Sequence, residues 1–118
     1  MPKKIKDKFD DTIQVEEAVK AALELMEVKG PILYGQFDKD RKKFSGEIPI
    51  NECGIYMFAA SCIELDIKFF EDKQMNCWIG RPSFSYTHHS RGSNGCDLNF
   101  YLMLINGKWV IQEDKRWV

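Results

Sequence analysis

From Ile63 to Phe69 apolar and charged residues alternate: Ile63, Leu65, Ile67 and Phe69, with Glu64, Asp66 and Lys68 between them. Strict period two predicts a β-strand with one buried face. A rival helical stripe, formed by Ile55, Phe58, Ala59, Cys62, Ile63, Ile67 and Phe70, would put Asp66 at the centre of its buried side. A buried, unpaired carboxylate is costly, which favours the strand. Upstream, the segment DTIQVEEAVKAALELMEVKGP carries Ile13, Val15, Ala18, Val19, Ala22, Leu25 and Met26 at helical spacing. It opens with Asp-x-x-Gln in the manner of a capping box, holds glutamates in its early turns and stops at Gly-Pro. This predicts an amphipathic helix that covers something.

Between these two elements, ILYGQFD and KKFSGEIPI flank the charged turn KDRK and predict a short, irregular hairpin. The following NECGIYMFAAS can begin a second helix, with Asn51 as its cap. After the turn EDKQ, residues 75–88 predict a long strand, bent near Gly80 or Pro82, and the SRGSNG cluster reads as a loop. DLNFYLMLI then reaches Asn106-Gly107, a strong two-residue hairpin signal, before KWVIQEDKRWV. The C-terminal half thus predicts a meander of four antiparallel strands. Residues 1–10 are charged and predict a loose opening segment.

Composition narrows the class. With 118 residues, 44% apolar and 13% aromatic, the chain predicts one domain over 1–118 with a real core. Seventeen basic against eighteen acidic side chains provide no general attraction to nucleic acid or anionic membranes. No run of eighteen apolar residues occurs, so neither a membrane span nor a secretory leader is expected, and the location expected is cytoplasmic. Cys53, Cys62, Cys77 and Cys96 lie far apart without a C-x-x-C pair, which predicts reduced, mostly buried thiols. Neither metal nor other cofactor is expected, because Cys96 with His88 or His89 would lack paired ligands at short spacing.

The order of elements resembles the cone-shaped α+β superfamily of nuclear transport factor two, ketosteroid isomerase and the SnoaL-like polyketide cyclases. The resemblance is carried by FYLMLINGKWVIQEDKRW at the C-terminus, ILYGQFDKD after the first helix and the long strand CWIGRPSFSYTHH, and it spans about residues 11–118. It implies N-terminal helices packed on a strongly curved antiparallel sheet of about four to six strands. It also implies a largely apolar pocket for a small apolar or aromatic ligand and acid–base chemistry such as isomerisation, cyclisation or dehydration; a homodimer is expected because large antiparallel sheets with one apolar face too many commonly dimerise. The helical half is shorter than is usual for such proteins. CWIGRPSFSYTHH followed by FYLML is also similar to the peptide-binding region of the dynein light chains, a dimeric module that would need residues 55–74 to be helical. A third reading keeps the cone as a non-catalytic dimerisation scaffold, marked by apolar residues on the outer sheet face.

Within this frame His88 and Asp38 are the candidate catalytic acid–base groups, and Tyr34, Trp78, Tyr86, Tyr101 and Trp109 the candidate ligand-binding aromatics. His88 and His89 should point to opposite faces of a strand, so they do not form a metal pair. Each candidate also has a plainer role: His88 as a solvated strand end, Asp38 in an exposed turn, the aromatics as core.

Overall fold

The computed structural model describes residues 9–25, 32, 34–48, 60–88 and 92–113, with the side chains of 60–63, 86–88 and 92–97 excepted. Among these residues one helix, α1 (Asp11–Leu25), is followed by seven strands. They are β1 (Tyr34–Asp38), β2 (Lys43–Ile48), β3 (Ala60–Asp72), β4 (Cys77–His88), β5 (Gly92–Asp97), β6 (Phe100–Ile105) and β7 (Lys108–Glu113). All pair antiparallel in one sheet of order β1-β2-β3-β4-β6-β7, and β5 pairs with β4 beside that path. The architecture is α+β, and the sheet stays open. No helix among the described residues is long and apolar enough to cross a membrane.

The cap is Asp10, one residue before the Asp11 expected for it, and α1 begins at Asp11. The Asp10 carboxylate accepts from the Thr12 N–H at 3.0 Å and the Thr12 hydroxyl at 2.6 Å, and the Gln14 side chain accepts from the Asp10 N–H. Two donors that the first turn leaves open are thereby satisfied. Phe9, in the stretch expected to be loose, packs its ring against Trp78 at 4.7 Å and Phe69 at 5.1 Å.

The two long hairpin turns share one construction. Asp38 Oδ1 accepts from the N–H groups of Asp40 and Arg41, and Asp72 Oδ1 from those of Gln74 and Met75. Each turn closes on a residue with positive φ, Lys42 at 51° and Asn76 at 54°. At the β6–β7 hairpin Asn106 (53°) and Gly107 (78°) form the expected two-residue turn, with Ile105 paired to Lys108.

β3 is a strand from Ala60 onward, as its alternation predicts, and Leu65, Ile67 and Phe69 are buried against α1. The helix that the light-chain reading requires over 55–74 is therefore a ladder in its described part. The second helix expected from Asn51 falls in residues 51–59, outside the described residues, and its last two residues belong to β3. SRGSNG needs a correction: Gly92–Asp97 is a strand, in register from His88↔Gly92 to Ser83↔Asp97. A ladder is made by backbone groups, so a Gly/Ser/Asn segment without alternation can form one. β4 thus has β5 along 83–88 and β6 at Ile79 and Gly80 on the same side. Pro82 sits at the changeover, where a missing donor costs little.

The core lies between α1 and one sheet face. Val15, Ala18, Val19 and Ala22 meet Phe44, Ile48, Leu65, Ile67, Phe69, Phe84 and Leu102, all buried. Gly35 and Gly46 are paired beneath the Phe44 ring, and a Cβ built on Gly46 would come within 2.8 Å of that ring and 2.7 Å of Ile32. Their lack of side chains lets the hairpin close on the core.

Candidate functional site

Register places the predicted residues on two different faces. Trp78 and Trp109 lie on the helix side, where Phe9, Phe37 and Phe69 pack around them; Phe69 and Trp109 stand 5.6 Å apart. The Trp109 indole N–H donates to the Gln14 carbonyl at 2.8 Å, tying β7 to α1. Tyr34 and Tyr101 belong to the opposite, outer face. Tyr34 is 75% exposed on the edge strand β1, while Arg81 lies over the Tyr101 ring at 5.6 Å and the Tyr101 hydroxyl donates to the Met75 sulfur. Asp38 is exposed, engaged by its own turn and 4.0 Å from the Arg41 guanidinium. His88 ends β4, but its side chain and that of Tyr86 lie outside those described, as does His89 entirely. The two tryptophans are thus partly buried against the core on the helix side, and they share no cleft with Tyr34 or Tyr101.

The outer face carries what the individual strands do not announce. Cross-strand partners share a face, so the registers sort its side chains into rows. One row is apolar, running Phe70, Ile79, Met103 and Val110 across β3, β4, β6 and β7. The next is cationic, with Lys43, Lys68 and Arg81 side by side on β2, β3 and β4. Beyond it come Ser45, Asp66 and Ser83, and then the acids Glu47 and Glu64 beside Ser85. The Ser45 hydroxyl donates to Asp66 at 2.7 Å.

Two clefts follow these rows. Arg41, Lys43, Asp66, Lys68, Arg81 and Ser83 line one of about 500 Å³. Tyr34, Gln36, Ser45, Glu47 and Glu64, with Gly35 and Gly46, line another of about 460 Å³. Among the described residues no three His, Cys, Asp or Glu side chains converge as a metal-ligand set.

Glu64 titrates above the ordinary carboxylate value of 4.5, first because burial penalises its charge, then through its hydrogen bond to Asp66 and that group's charge. Glu47 adds to the rise and Lys43 opposes it. A carboxyl whose pKa is raised by folding holds its proton longer in the folded state, so stability falls as pH rises through its folded value. Glu64→Gln keeps a donor toward Asp66 and removes the charge. We expect it to match the parent below about pH 4 and to exceed it in urea midpoint near pH 7. A gain of the same size at both pH values would contradict this assignment.

The alternation of β3 announced Glu64, Asp66 and Lys68 as a polar face. What it could not announce is their alignment with Lys43 and Arg81, since register depends on turn lengths fixed elsewhere. No family model, no curated protein and no solved structure matches this chain.

Proposed function

We propose that this chain is a non-catalytic association module of the cone-shaped α+β kind, pairing with a second copy of itself through the outer sheet face. The observation that carries the reading is the apolar row at the β6–β7 end of that face. Met75, Ile105 and Val110 there each remain about 40% exposed, around an Ile79 that is itself closed off from solvent. Phe70 and Met103 complete the patch between them. Large apolar side chains gathered on one open face favour burial by another surface, and a two-fold axis lets one patch serve both partners. The helix side supports the same reading, because Phe9, Phe37, Phe69, Trp78 and Trp109 fill space that a ligand would need.

Sedimentation over a dilution series tests it. The chain should run at twice its monomer mass, and Val110→Lys, which puts an amine into the patch at an exposed position, should run as a folded monomer. A monomer at all concentrations for the parent chain would refute the reading.

One observation favours the small-molecule reading. Between α1 and the β1–β2 hairpin lies a groove of about 410 Å³ with Val15, Val19, Ile32, Phe37 and Phe44 on its walls and Asp11, Thr12 and Glu16 among its polar lining residues. A small apolar ligand of the kind the resemblance implies would enter here, away from Trp78 and Trp109.

A further inference from the structure

Lys43, Lys68 and Arg81 stand directly opposite one another on three adjacent strands. Like charges in this relation destabilise a sheet. They are not edge protection, since β3 and β4 are interior strands. The ion pairs Lys20–Glu16 and Arg41–Asp38 engage neither Lys43 nor Lys68. Arg41 adds a fourth cation at the rim, and the cleft between these groups falls within the range of about 300–1,000 Å³ typical of small-ligand sites. Its lining also has Ser83 as a hydroxyl donor and Asp66 as the one carboxylate, already accepting from Ser45.

We propose that this cleft binds a small molecule bearing a phosphate monoester or diphosphate. Two lysines supply mobile point charges and Arg81 supplies a planar fork, the combination that suits phosphate oxygens. Stacking on Tyr101 fixes where that fork sits. An extended polyanion does not fit. The cationic row is bordered by Asp38 at one end and, two rows away, by Glu47 and Glu64, and the chain carries a net charge of −1. The bound anion offsets the repulsion within the row, so the charge pattern that weakens the empty sheet becomes the source of affinity. This inference does not depend on self-association: the cleft lies one row beyond the apolar patch.

Calorimetric titration with inorganic pyrophosphate, at ionic strength held constant with potassium chloride, tests the site. Binding should saturate. Lys68→Gln should weaken it by about tenfold or more, while Lys20→Gln on α1 leaves it unchanged. Without the anion Lys68→Gln should melt no lower than the parent, because it relieves a like-charge row. Loss of saturable binding in the parent, equal weakening by both substitutions, or tighter binding of citrate than of pyrophosphate would overturn the proposal. So would binding of an oligothymidylate that Lys68→Gln does not weaken, since that is the behaviour of a general polyanion surface.

Discussion

Leu65→Ala should lower the unfolding free energy by about 2–5 kcal/mol. Leu65 has no exposed surface, and it sits on β3 between Gly46 of β2 and Phe84 of β4. Gly46 has no side chain with which to close the space, so the neighbours can refill little of the cavity. Three residues along the same strand, Lys68 points to the outer face and is exposed. Truncating it to alanine should change stability by no more than about 0.5 kcal/mol, or raise it slightly. Urea unfolding of the two variants reads the orientation of β3 directly. Equal losses from both would mean that the alternation does not separate a core face from an open one.

The second large effect concerns Trp109. Trp109→Ala removes the ring packed on Phe69 and the hydrogen bond to the Gln14 carbonyl, and should cost about 3 kcal/mol or more. Trp109→Phe keeps an aromatic ring and loses the bond, and should cost about 1 kcal/mol. The division matters because this side chain ties the last described strand to the first element, closing the helix onto the far end of the sheet. Amide exchange in α1 should quicken in the alanine variant more than exchange in β1 and β2. Uniform quickening across the chain would mean that Trp109 contributes to the core without tethering the helix.

Several elements were legible because local chemistry and tertiary structure agree in them. The alternation of 63–69 specified a half-buried strand, and Asn106-Gly107 a turn whose two residues both have positive φ; the helical stripe held for Val15, Ala18, Val19 and Ala22, which are buried, and not for Ile13 and Leu25, which are exposed. Asp38 was legible in its plainer role, because an Asp at the start of a charged turn can accept from the backbone two and three residues on. β5 was not, since Gly-Ser-Asn-Gly-Cys-Asp offers no apolar period and its pairing depends on a free edge of β4 that only tertiary structure creates. Phe9 was hidden in a charged stretch, though it packs on the Trp78 ring.

The candidate site was less legible for a related reason. Trp78, Tyr101 and Trp109 look alike as strand aromatics, yet the pairing Gly80↔Leu102 puts Tyr101 on the face opposite to the two tryptophans. A one-residue shift of that register would have reversed the assignment. In the same way, Lys43, Lys68 and Arg81 are unremarkable in three separate strands and become a cationic row only when β2, β3 and β4 align.

Association through the outer face, as proposed, requires the two faces of β7 to behave differently. Val110 and Ile111 are neighbours on β7 with similar exposure, 38% and 44%, but Val110 pairs with Met103 on the outer face and Ile111 with the core residue Leu102. A photo-reactive benzoylphenylalanine placed at one position and then the other samples the two faces from nearly the same point in space. Irradiation should yield a covalent dimer of the chain from position 110 and none from position 111. Cross-linking from 111 alone, or from neither position at a concentration where the mass in solution is that of a dimer, would contradict the account.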